Sequence, residues 1–208
     1  MEVSCSYTDA VFSPADVHEM TTVTPLLQRA WRQRGFLGDR KYGRSGFAAR
    51  EVAQIMALRY LGQSLRTDLE FIQKGVARAA PHILWFALGD PLAWDIQGTP
   101  AQVAAFNKAI LAEDFFGFQY LDKMVGLKRG SVERFLVRTD TSDVLTSNLE
   151  DILIGDRPPL GGIVLDLMAA GKELREKAKR PLIIVSDIEI LDQPAPTSAT
   201  RGARSTRR

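Results

Sequence analysis

The stretch Phe12-Ser13-Pro14-Ala15-Asp16-Val17-His18-Glu19-Met20-Thr21-Thr22-Val23-Thr24-Pro25-Leu26-Leu27-Gln28-Arg29-Ala30-Trp31-Arg32-Gln33-Arg34-Gly35-Phe36-Leu37 contains two helix starts of the same kind. Ser13-Pro14 and Thr24-Pro25 each place a hydroxyl residue at the cap and a proline at the first helical position, where its missing N–H is no loss. Asp16 adds an acid where the helix dipole favours it. Val17 and Met20, three apart, form the apolar face of the first helix. Thr21-Thr22-Val23 reads as a turn. Leu27 and Trp31, four apart, are the expected inner face of the second helix, and Gly35 is its stop.

Working outward, Gly38 to Gly46 is short, basic and punctuated by three glycines, as a tight hairpin or wing would be. Phe47 to about Leu61 is expected to be helical, with Val52, Ile55 and Met56 on one stripe. Gly62 is expected to break it, and Ser64 to cap another helix ending near Ala80. Trp85, Phe86 and Trp94 flank the turn Gly89-Asp90-Pro91. With Phe115, Phe116 and Phe118 they are expected to form core or a dimer surface. Thr99-Pro100-Ala101-Gln102 is a capping-box pattern opening a further helix. Beyond Ser131 the character changes. Val132–Arg138 and Val144–Leu149 look like strands joined by a turn at Thr139–Asp143. Ile163–Ala178 reads as a helix whose first half, Gly162–Leu167, has an alternative reading as a strand. Pro181–Val185 is a short β-rich run. From Pro194 onward the chain lacks apolar periodicity and reads as a disordered basic tail. Cys5 is read as lying in a frayed N-terminus.

The chain has 208 residues, 45% of them hydrophobic and 25% charged, which suits a globular protein able to bury a core. No apolar run approaches membrane-spanning length, and no secretory signal is visible at the N-terminus. The single cysteine, Cys5, excludes an intramolecular disulfide and a cysteine-built zinc site, so a reducing cytoplasm is the expected compartment. The formal charge of +2 conceals an asymmetry: residues 1–23 carry −4, residues 24–50 carry +6, residues 51–194 carry −4 and residues 195–208 carry +4. A concentrated basic segment in an otherwise acidic chain is the electrostatic footprint of polyanion binding.

Helix, short turn, helix, basic wing, helix is a winged helix-turn-helix plan. Residues 10–66 resemble the MerR-type DNA-binding domain. Val23-Thr24 is similar to that family's turn, Arg29 to its arginine, Trp31 to its second aromatic and Gly35-Phe36 to the end of its second helix. Phe47-Ala48-Ala49-Arg50-Glu51-Val52 resembles the helix after the wing. Ala30 departs from the family's first aromatic and Arg32 from a common acid. No long heptad helix follows, and no C-terminal cysteine supports a thiolate metal sensor. The resemblance implies a recognition helix entering the major groove, with Thr24, Gln28, Arg29 and Arg32 on its outward faces. It also implies a wing whose Arg40, Lys41 and Arg44 contact phosphates, with Tyr42 against a sugar.

Other chemistry is thin. His18 and His82 are isolated in sequence and read as surface or core groups, not a metal pair. Asp140, Asp143, Glu150 and Asp151 read as solvated turn acids, although a nuclease would place metal ligands in such a group. There is no Walker A pattern and no strand-placed GxGxxG. The expected fold is therefore α+β, mostly α. A winged helix-turn-helix (10–66) is followed by a helical linker or dimerisation region (67–130), a smaller α/β C-terminal region (131–193) and the basic tail (194–208). The expected function is a sequence-specific transcriptional regulator at the nucleoid, binding double-stranded DNA as a homodimer. It would be no enzyme, use no cofactor or metal and touch no membrane, and its C-terminal region would meet a protein or small-molecule partner. Two alternatives stay open: an architectural DNA protein of excisionase or partition type, and an enzyme delivered to DNA by its winged head.

Overall fold

The structure, a computed structural model, describes residues 2–37, 46–65, 69–108, 121–127, 130–139, 142–154 and 161–191. The expected wing at Gly38–Gly46, apart from Gly46, the aromatics Phe115, Phe116 and Phe118, the acid Asp140 and the expected basic tail lie outside the described residues. The fold is mixed α+β, with helix the larger share.

The two helix starts are where the caps place them. Helix α1 (Pro14–Thr21) opens with a complete capping box: Ser13 Oγ accepts from Asp16 N at 3.2 Å, and Asp16 Oδ2 accepts from Ser13 N at 2.8 Å. It ends at Thr22, which takes the left-handed conformation at φ 60°. Helix α2 (Pro25–Gln33) opens on Thr24, whose side chain accepts from Leu27 N. A two-residue strand on each side of α1 and α2 closes the unit. β2 (Val11–Phe12) pairs antiparallel with β3 (Phe47–Ala48), and both phenylalanines are buried.

Helix α3 (Ala49–Leu65) runs through Gly62 instead of stopping there, and α4 (Leu69–Leu88) continues through Pro81 instead of ending near Ala80. A helical glycine costs about 1 kcal/mol relative to alanine and an interior proline about 3. Tertiary burial outweighs both, because Ile55, Met56, Leu58, Ile72, Ile83 and Leu88 are all fully or almost fully buried. After a 3-10 turn (Pro91–Ala93) come β4 (Trp94–Ile96) and α5 (Pro100–Phe106), the latter with the expected Thr99–Gln102 capping box. Helical residues 121–125 (α6) follow. Trp85 and Trp94 belong to the interior. Trp94 packs edge-on against Tyr7 and near Phe106, and its Nε1 donates to Leu88 O at 2.8 Å.

The expected C-terminal hairpin is present as β5 (Phe135–Thr139) and β6 (Asp143–Thr146), paired antiparallel. After the short α7 (Glu150–Leu153), the segment 162–178 divides. β7 (Gly162–Asp166) adds to the other edge of β5, and α8 (Leu167–Lys177) begins at Asp166, whose side chain accepts from Ala169 N. The strand reading of the first half thus holds, and the single-helix reading does not. A buried charge pair ties the two strands of the hairpin together where it packs on α4: Arg138, 3% exposed, reaches both oxygens of Asp143 at 2.5 and 2.6 Å. Gly75 of α4 makes room for it, since a Cβ there would lie 2.6 Å from the Arg138 guanidinium. Gly171 does the same where α8 crosses α4: an added Cβ would meet Ile83 O at 2.6 Å.

The N-terminus is not frayed. Glu2–Asp9 is a strand, β1, antiparallel to β8 (Ile183–Leu191), while β4 joins β8 on its other side in parallel. β8 is correspondingly longer than the β-rich run expected to end at Val185. In β1, Val3, Cys5 and Tyr7 pack towards the core at every second position, and polar residues alternate with them. One continuous core extends from Ala10 and Phe12 through Trp31, Ile55, Ile83 and Leu136 to Leu167 and Val185. The segments 10–66, 67–130 and 131–193 therefore share a single interior. Among the described residues no helix is long and apolar enough to cross a membrane.

Candidate nucleic-acid interface

The orientation of α2 is decided from inside. Gln28 is 1% exposed, and its Nε2 donates to Pro14 O at 3.0 Å and to Val23 O at 2.8 Å. Val23 O lies in the turn, outside any helix ladder, and Pro14 O, the first carbonyl of α1, has a second lone pair for a side-chain donor. Thr21, also buried, donates to Val17 O at 2.6 Å and accepts from Val23 N at 3.3 Å. Trp31 is buried three residues after Gln28, and Phe36 and Leu37 close the end of the unit. The inner stripe of α2 is thus Gln28 and Trp31, not Leu27 and Trp31. The helix is rotated relative to the sequence reading, and Leu27 is 41% exposed.

Two expected contact residues are corrected by this rotation. Gln28 does not lie on an outward face, because its amide holds the turn. Arg32 does not either: its Nη2 pairs with Glu51 Oε1 at 2.8 Å, its guanidinium stacks 4.1 Å from the centre of the Phe47 ring, and its side chain is 9% exposed. Glu51 in turn accepts from Ala48 N at 2.9 Å. Burial pushes the Glu51 carboxyl above its ordinary range, against the lowering effect of the Ala48 N–H and of Arg32. This pair fastens α2 to β3 and α3. An arginine in place of a common acid was the visible departure, and the acid that receives it lies 19 residues on in the next helix.

Thr24 and Arg29 are exposed, as expected, with Leu26, Gln33 and Arg34 beside them. Leu26, Arg29, Ala30 and Gln33 recur at i, i+3, i+4 and i+7, which is one outward stripe. Arg40, Lys41, Tyr42 and Arg44 lie outside the described residues.

The described acids of this unit are neutralised within the fold. Asp16 pairs with Arg180 at 3.1 Å, Glu19 with Lys179 at 2.6 Å and Glu51 with Arg32. The Ser13 backbone N–H in the capping box, helped by Arg180, holds the Asp16 carboxyl below its usual range. Arg180 also stacks over Phe12 and donates to Val11 O, so the loop between α8 and β8 is stapled to α1 and β2. Arg29 and Arg34 make no ion pair with another described residue. The exposed side of α2 therefore presents positive charge without a compensating acid among the described residues.

The remaining sequence candidates do not converge. His18 is exposed on α1, while His82 is buried on α4 and its Nδ1 accepts from Glu133 N at 2.9 Å. Asp143 is taken by Arg138, and Asp151 accepts from Asn148. Among the described residues no group of three or more His, Cys, Asp or Glu side chains is placed to hold a metal ion. Comparison of the chain with protein-family models, with curated proteins and with solved structures found no match.

Proposed function

We propose that the chain is a sequence-specific DNA-binding regulator that lays the outward stripe of α2 in the major groove and its basic wing on the backbone. One observation carries this reading: Asp16 and Glu19 are paired at the surface with Arg180 and Lys179, and Glu51 is buried against Arg32, while Arg29 and Arg34 stand on the exposed side of α2. A solvated structural helix has no need of such separation, whereas a polyanion surface does. The β2–β3 pair supports the same reading, because it closes the segment 13–46 that contains α1, α2 and most of the chain's concentrated basic residues. A single head contacts few base pairs, so two copies on a two-fold site supply useful specificity. Exposed apolar side chains outside the head, Leu92 and Val164 among them, are available for that pairing.

The test is selection of duplexes from a random library by the full chain, followed by binding isotherms at several salt concentrations. Arg29→Ala is expected to cost about 1–3 kcal/mol at the selected site and to relax base preference there. Arg44→Ala is expected to weaken selected and random duplexes alike and to flatten the salt slope by about one. Selection that enriches no sequence, with affinity indifferent to Arg29→Ala, rejects the proposal.

A further inference from the structure

The outward stripe of α2 begins with a leucine. Leu26 is 76% exposed, and Leu27 beside it is 41% exposed. On a helix whose register is held by Gln28 and Trp31, neither side chain can turn inward to be covered. The apolar spot is small and is bordered by Thr24 and Arg29 on the same exposed turn. A helix-in-groove protein partner would require a longer apolar face, with anchors repeated along the helix. Here the repeat after Leu26 is Arg29, Ala30 and Gln33, which is polar apart from one small residue.

Resting on the DNA-binding reading above, we infer that Leu26 reads a thymine methyl group in the major groove while Arg29 takes a neighbouring guanine. The charge supports a polyanion as the occupant, since residues 24–50 carry +6. Among the base edges in the major groove, the thymine C5-methyl is the apolar group, and arginine pairs best with guanine O6 and N7. Leu26 and Arg29 are three residues apart, about 4.5 Å along the helix axis. Base pairs repeat at about 3.4 Å. The half-site is therefore one in which a thymine lies about one or two base pairs from a guanine.

The experiment uses the full chain and the duplex that it selects from a random library. Each thymine is replaced in turn by deoxyuridine, which keeps the pairing and the O4 acceptor and removes only the methyl group. Wild type is expected to bind about fourfold more weakly when one particular thymine is replaced, the ratio that corresponds to one buried methyl. Leu26→Ala is expected to lose about the same factor on the thymine duplex and to be indifferent to the replacement. Arg29→Ala is expected to keep the wild-type sensitivity. Wild-type binding that is unaffected by uracil at every position overturns the inference and leaves the DNA reading standing. So does undiminished sensitivity in Leu26→Ala. Absence of wild-type binding to any duplex overturns both. The wild-type uracil series involves no substitution in the protein, so it decides the matter even if Leu26→Ala melts early.

Discussion

Replacing Gln28 by alanine separates the two orientations of α2. In the structure the side chain is buried and donates to two carbonyls, Pro14 O and Val23 O. Each bond contributes about 1 kcal/mol net. The buried methylenes add about 0.8 kcal/mol each. Gln28 Oε1 is buried without a partner, and its removal returns part of that loss, about 1 kcal/mol. The net expectation is a destabilisation of about 2–3 kcal/mol. For a chain of this size that corresponds to a fall in Tm of roughly 4–12 °C. Urea unfolding followed by circular dichroism measures it, with a lower midpoint and an unchanged slope as the expected pattern. Sequence preference among duplexes should be unaltered at temperatures where the variant is folded, because Gln28 touches no groove. An outward glutamine would behave in the opposite way, with full stability and weakened binding. That result would refute the register of α2, and with it the stripe on which the DNA reading is built.

Arg32→Ala leaves Glu51 buried with the Ala48 N–H as its remaining support, at a cost of roughly 2–4 kcal/mol. Burial then raises the Glu51 carboxyl further. A raised folded-state pKa contributes stability at low pH and loses it as pH rises through that value, so the deficit should be larger at about pH 8 than at about pH 5; equal deficits refute this. Burial lowers the His82 pKa, with Glu133 and Arg78 acting in opposite senses. The neutral form then contributes stability that is full above the free imidazole value of about 6.5 and is lost as pH falls through the lowered one. His82→Gln, which retains an acceptor for Glu133 N–H, should flatten the urea midpoint between about pH 7 and 5 relative to wild type. Gly171→Ala should cost about 1–3 kcal/mol by thermal melting, since its methyl group would lie 2.6 Å from Ile83 O and from Phe86 Cβ, and a neutral result would show that α4 and α8 can separate freely.

The features that the sequence determined by itself are those whose energies are local. Ser13-Pro14, Thr24-Pro25 and Thr99-Pro100 placed three helix starts correctly, because a cap satisfies backbone N–H groups two or three residues away and requires nothing else of the fold. The β5–β6 hairpin was legible for the same reason, with its turn and its β-rich flanks adjacent in the chain. Tertiary structure decided what depends on distant partners. β1 is a strand because β8, at the other end of the described chain, offers it a ladder, and the alternation of Val3, Cys5 and Tyr7 becomes a buried face only when Trp94 and its neighbours cover it. Gly62 and Pro81 would end helices in isolation, yet packing against the common core carries α3 and α4 through them. The candidate interface depends on the same distinction. Apolar spacing assigned Leu27 to the inside of α2, but the start of α1 and the turn each present a backbone carbonyl there, and an amide donates to both where a leucine cannot. Arg32 likewise turns inward because Glu51 and Phe47 receive it from α3 and β3. The positive face that remains, carrying Arg29 and Arg34 with Leu26 at its head, is what the tertiary contacts leave over once the interior has taken its share of the charges.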